Sequence, residues 1–273
     1  MAFDSFFKRL IGEFLTGCET QSDVPVGQLP LRVDLVVKCA QKAAKPLIPV
    51  LETHFMQINL FEYKSSHDHP QRTDLSKLLG YLGLYCAQNA IGIEEIASRL
   101  SLWYVSVKRP DYFAPLFQDQ KIIATPIRGL YTLNVPMPCP YYLLVLNELD
   151  VTEENLPLLL LTTGEPLRAT IHFLAAKSLP IDLKLERYLR VVSILNYKDV
   201  HEMTELQSLL PDSITENIKL AIMDVGLKEV IKAIGIEEVI KAIGIEEAIK
   251  AIGIEEVEKI LHRLKKKSQI SKL

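Results

Sequence analysis

The 273-residue sequence has little cysteine, and what it has is scattered. Cys18, Cys39, Cys86 and Cys139 form no CxxC pair and no metal-ligand spacing. A zinc ribbon or finger is thereby excluded, and reduced core thiols are the expectation. No apolar run approaches the roughly 20 residues that cross a bilayer. The longest, 156–161, is far too short. An acid arrives early, at Asp4, and no secretory h-region follows it. There is no Gly-rich phosphate loop, so no ATP or GTP cofactor is expected. Positive charge is not in excess: the formal net charge is −3. That argues against binding nucleic acid by bulk charge and leaves room for a local basic groove. Nothing reads as a helix-turn-helix, so low sequence specificity is the default for any nucleic-acid partner. The expectation is a soluble, cytoplasmic protein with no membrane partner.

What is present is a core. Hydrophobic residues make up 48% of the chain, enough for one large domain with an appendage. The stretch Ile58-Asn59-Leu60-Phe61-Glu62-Tyr63-Lys64 reads as a strand, closed by the turn cluster 65–70. A second strand of the same character, 31–37, carries one acid, Asp34. A helix is expected from an Asp4-Ser5 cap to Gly17, with Glu13 beside its apolar stripe. Thr73-Asp74 caps another that runs to about Gln88. A short strand or turn is read at 46–50 and a short helix at 93–100. Strand-like segments at 103–107, 122–124, 129–135 and 141–146 follow. From Thr152 onward the pattern turns helical, with a helix at 182–195 and a capping box at Ser213-x-x-Glu216. The fold class is therefore α/β, a mixed sheet flanked by helices, with a helical C-terminal extension. The expected parts are a core at 1–148, a helical extension at 149–225, repeats at 226–258 and a basic tail at 259–273.

The repeats are unmistakable. Gly226, Gly235, Gly244 and Gly253 recur every nine residues, in GLKEVIKAI, GIEEVIKAI, GIEEAIKAI and GIEEVEKIL. Nine residues make two and a half helical turns, so the apolar face of one straight helix would flip at each repeat. Short helices broken near each Gly, with stacked apolar faces, are the first expectation. A continuous helix covered by partner chains is the second. Such units cannot bury their Val and Ile alone. They are expected to pack on the main domain or to form a homo-oligomer through 226–258. The tail after Glu258 carries Lys and Arg without acids. It reads as a solvated end or as a contact for phosphates.

Side chains alternate along a strand, so Glu62 and Lys64 point the same way. Charged groups on an otherwise apolar strand need a partner, water or a metal. Hydrolysis of a phosphodiester needs an activated water and stabilised phosphate charge, which a carboxylate-held divalent ion supplies. Asp34 and Glu62 can be ligands of Mg2+ or Mn2+, with the Tyr63 backbone carbonyl as a third. Lys64 is the catalytic candidate beside them, so the catalytic set is Asp34, Glu62 and Lys64. Lys77 and Tyr81 lie four apart on one helical face and can contact a nucleic-acid backbone. Glu13 is either a solvated flank or a further metal ligand. Plainer roles fit the same residues: an ion pair for Glu62 and Lys64, a turn cap for Asp34, the polar edge of a helix for Lys77 and Tyr81. His67 and His69 read as surface groups in a turn.

Asp34 followed across 35–61 by Glu62-Tyr63-Lys64 resembles the PD-(D/E)XK nuclease signature, in the αβββαβ order of that fold. Val33 stands where the signature has proline. Asp4-x-x-Phe7-Lys8, the Leu29-Pro-Leu-Arg-Val-Asp34 strand and the GIEEVIKAI repeats are similar to the Rpn-type recombination-promoting nuclease and putative transposase family. The resemblance spans roughly 1–140 and the repeats. It implies a restriction-endonuclease-like core and a Mg2+-dependent DNA endonuclease associated with recombination or mobile elements. The alternative is a non-catalytic assembly or DNA-binding protein on the same fold.

Overall fold

A computed structural model describes residues 2–15, 17–26, 32–40, 47–71, 73–177, 183–210 and 214–244. The chain divides into two units, 3–177 and 178–273. The boundary falls after Lys177 rather than at 148, because the helices that follow the sheet pack on its own unit.

In the first unit the elements run α1 (Ala2–Phe14), β1 (Cys18–Pro25), β2 (Arg32–Cys39), α2 (Pro49–Glu52), β3 (Ile58–Lys64), α3 (Asp74–Gln88), α4 (Ile93–Arg99) and β4 (Leu100–Ser106). They continue through α5 (Ala114–Gln118), β5 (Ile122–Ala124), β6 (Leu130–Leu133), β7 (Tyr141–Val145), α6 (Leu156–Leu159) and α7 (Glu165–Lys177). The seven strands form one sheet in the order β1-β2-β3-β4-β7-β6-β5. β3–β4 and β4–β7 are parallel, and the outer pairs are antiparallel. The two central strands are almost continuously buried, as parallel strands covered on both faces are. The expected mixed α/β class is present. β1 went unread in the sequence because its half-exposed edge, Cys-Glu-Thr-Gln-Ser-Asp, carries no apolar alternation.

The pleat sorts β3 onto two faces. Tyr63 and Phe61 meet α1, where the Phe7 ring stacks on Tyr63 at 4.3 Å. Leu60 faces the other way, into a core with Leu78, Tyr81, Leu82 and Tyr85 of α3 and Leu102 and Leu143 of the sheet. Of the stretch 46–50, expected as a short strand or turn, the last two residues instead open one helical turn, Pro49–Glu52, whose Glu52 carboxylate accepts the backbone N–H groups of Leu47 and Ile48.

The cysteines require a correction. Cys18 and Cys39, expected as reduced core thiols, face each other across β1–β2 and are joined as a disulfide. Register alone brings them together, and a sequence separation of 21 conceals it. Cys86 and Cys139 are buried free thiols, as expected.

The second unit comprises α8 (Leu183–Leu195), α9 (Tyr197–Val200), α10 (Thr204–Leu209), α11 (Ile214–Val225), α12 (Leu227–Ile234) and α13 (Ile236–Ile243). Arg187 of α8 grips Asp224 of α11 with two hydrogen bonds. The described repeats are short helices broken at glycine, the first of the two expectations. Gly235 has φ 90° and ψ 160°, a conformation essentially closed to other residues. This turn lets equivalent positions of successive repeats, Val230 and Val239, both be fully buried. α12 packs on α8 and α11, and α13 on α11 and α12, so the described repeats complete a core within their own chain. Ser213 and repeat residues 245–258 lie outside the described residues, as does the basic tail.

Candidate active site

β2 and β3 build the centre. Their register pairs Leu35 with Phe61 and, carried one step on, sets Asp34 against Glu62. At that step the ladder gives way to a side chain: the Tyr63 N–H donates to Asp34 Oδ2 at 2.9 Å. The Asp34 carboxyl is pushed up to about 7, first by burial and then by the negative charge of Glu62. The Tyr63 N–H and the Lys8 ammonium pull against that rise. Asp34 is thus a carboxyl group under electrostatic pressure from its neighbour across the strands.

Glu62 is only 3% exposed. Its Oε1 accepts Lys64 Nζ at 2.7 Å and lies 3.5 Å from Lys77 Nζ. Burial works against the Lys64 ammonium, but the charge and hydrogen bond of Glu62, with Asp74 behind, outweigh it and raise its pKa. The same balance raises Lys77, where Tyr81 and Glu62 overcome burial. Both lysines are firmly cationic at neutral pH.

Two parts of the arrangement were not legible as functional in the sequence. Asp74, read as a helix cap, is buried, and its Oδ2 lies 3.9 Å from Lys64 Nζ. The same oxygen accepts the Gln71 N–H at 2.9 Å and the Tyr104 hydroxyl at 3.2 Å. Behind Asp34, Lys8 of α1 donates to Asp4 and Asp23, each at 2.8 Å. Asp23 sits across from Asp34 on β1 with φ 53°, a left-handed kink. An acid at the first turn of a helix and a lysine one turn on carry no unique signal. Only the fold directs them at Asp34.

Two expected residues are placed differently. Glu13 lies 3.9 Å from Arg9 and lines a groove between α1 and β1 with Gly12 and Thr20. It is about 13 Å further along the helix axis than Asp4. The α1 charges that act on Asp34 are those of Asp4 and Lys8. Tyr81, expected to touch nucleic acid, is 3% exposed. It belongs to the buried stripe of α3 and supports Lys77, whose ammonium lies 5.4 Å from its ring centre. Lys77 is the half-exposed member of the pair.

Among the described residues, no group of three or more His, Cys, Asp or Glu side chains assembles into a metal cage. Mg2+ needs less: one or two carboxylates, with water and substrate oxygens for the rest. The local charge fits such an ion. Asp4, Asp23, Asp34, Glu62 and Asp74 are linked through Lys8, Lys64 and Lys77, five carboxylates to three ammonium groups. Asp4 Oδ1 is buried with no hydrogen-bond partner among the described residues. No helix among the described residues is long and apolar enough to cross a membrane. Comparison with family models, curated proteins and solved structures found no match.

Proposed function

We propose that this chain is a Mg2+- or Mn2+-dependent DNA endonuclease on a restriction-endonuclease-like core, of the PD-(D/E)XK type and the recombination-promoting kind. The observation that carries the reading is the facing of Asp34 and Glu62 across β2 and β3, with Lys64 on the side of Glu62. Asp34 and Glu62, with the Tyr63 carbonyl, would hold the cation. When bound, a divalent cation supplies a Lewis acid for the phosphoryl oxygen and an activated water.

The remaining work falls to the chain's own groups. The Tyr63 N–H holds one oxygen of the Asp34 carboxylate at 2.9 Å and so fixes the group beside Glu62. Lys64 brings a fixed positive charge to the reacting phosphate and orients the attacking water. Lys77, half-exposed on α3, meets the adjoining backbone phosphate. Tyr81 keeps that ammonium in place from below.

The test is plasmid nicking with Mg2+, Mn2+ or chelator, run beside Lys64→Ala. Metal-dependent nicking that a folded Lys64→Ala lacks supports the reading. Equal signal in both proteins refutes it. A second reading, a non-catalytic binding or assembly protein on the same fold, draws on the absence of a three-ligand cage among the described residues. It predicts DNA retention without cleavage in any metal.

A further inference from the structure

Lys64 is a short reach from two acids on different elements. Its Nζ is 2.7 Å from Glu62 Oε1 on β3 and 3.9 Å from Asp74 Oδ2 on α3. Its side chain is 17% exposed and that of Asp74 is 10% exposed. Neither charge can be left to water. Asp74 is also held from behind: Tyr104 and Gln71 donate to the same oxygen that faces Lys64. Tyr104 is itself fully buried on β4, beside β3. A helix-capping role does not call for this. The Gln71 N–H accounts for the cap, whereas the Tyr104 hydroxyl and the Lys64 ammonium approach from the sheet side.

Glu62 poses a conflict. Its Oε1 is already occupied by Lys64 and approached by Lys77. A cation held on Glu62 would stand against both ammonium groups at close range, in a site where charges are weakly screened. Lys64 needs somewhere to go, and Asp74 lies within reach. Closing a gap of roughly 1 Å brings it to charge-assisted hydrogen-bond distance.

Resting on the nuclease reading above, we infer that Asp74 is a positioning residue, the second seat of the Lys64 ammonium. Lys64 holds Glu62 while the site is free and passes to Asp74 Oδ2 when a divalent cation takes Glu62. The transfer keeps Lys64 charged and close to the reacting phosphate while freeing a ligand oxygen.

The test is calorimetric Mn2+ binding to the full chain in four forms: wild type, Asp74→Asn, Lys64→Met and the double variant. Asn retains an oxygen for Tyr104 and Gln71, so the cap survives and only the charge is lost. If Asp74 seats Lys64, Asp74→Asn weakens Mn2+ binding about tenfold when Lys64 is present and by less than about twofold when it is Met. Equal weakening in both backgrounds would show Asp74 acting on the cation directly and overturns the seat alone. No Mn2+ binding by wild type overturns the nuclease reading with it. The wild type gives an independent check by lysine-ammonium NMR. On Mg2+ addition the Lys64 signal shifts and persists if it moves to Asp74. An unchanged signal on a Mg2+-bound protein overturns the transfer.

Discussion

Asp34→Asn should make the protein more stable at neutral pH while removing its cation affinity. The cause is the pair of facing carboxylates, Asp34 and Glu62. In the folded chain burial and the neighbouring Glu62 charge push the Asp34 pKa up to about 7, from an ordinary 3.8. A carboxyl whose folded pKa is raised binds its proton more tightly in the folded state. Stability therefore falls as pH rises from about 4 to about 7, and no further loss follows above that. At 1.36 kcal/mol per pH unit, the full interval corresponds to roughly 4 kcal/mol. Asp34 is half-buried, and water screens part of this, so the expected gain for Asn at pH 8 is about 2 kcal/mol. Asn also keeps an oxygen for the Tyr63 N–H. Urea unfolding followed by tryptophan fluorescence reads this unit alone, because the only tryptophan, Trp103, is fully buried in its sheet. Every other carboxylate is common to both proteins, so the difference between them reads Asp34 together with its interaction with Glu62. The two should agree near pH 4 and diverge toward pH 8. Adding Mg2+ should then raise the wild type and leave the variant unmoved. A variant less stable than wild type at pH 8, or parallel pH profiles, would refute the account of Asp34 as a group held at a cost for binding.

Other expectations follow from single contacts. Gly235→Ala places a side chain at φ 90° and should destabilise the second unit by about 2 kcal/mol, read by thermal unfolding in circular dichroism. Cys39→Ser, or reduction with a dithiol, removes the Cys18–Cys39 link. It should lower urea stability of the first unit by about 3 kcal/mol, with no such loss on reducing a Cys18→Ser protein. The Tyr63 hydroxyl is buried with no hydrogen-bond partner among the described residues. Tyr63→Phe should therefore be neutral or stabilising by up to about 1 kcal/mol, and a loss above 2 kcal/mol would reveal a partner for that hydroxyl.

Much of the site's framework could be read before any coordinates. The Glu62 strand is legible because a central strand is rich in apolar, β-branched and aromatic residues, and it spans Ile58–Lys64 as read. Asp34 and Glu62 stand out as acids within the mostly apolar, buried stretches of β2 and β3. The α3 span, Asp74–Gln88, follows from its cap and apolar stripe. Glu13 shows the limit. Helical periodicity gives the face of a residue but not its height above a neighbouring strand. Tyr81 shows another, since an amphipathic tyrosine reads equally well as a surface or a core residue until its neighbours are known.

Local pattern by itself determined the mixed sheet with its flanking helices and the candidate acids and lysine, and it made glycine breaks the first expectation for the repeats. These depend on side-chain alternation, caps and helical pitch, all interactions between near neighbours. Tertiary structure alone decided the rest. It set Cys18 against Cys39 in a register that sequence distance hides. It turned Asp74 from a cap into a buried neighbour of Lys64, and brought Asp4 and Lys8 to bear on Asp34. It also packed α12 on α8 and α11, and α13 on α11 and α12, of the same chain. Each of these is a contact between segments far apart in sequence, fixed by sheet register and helix docking.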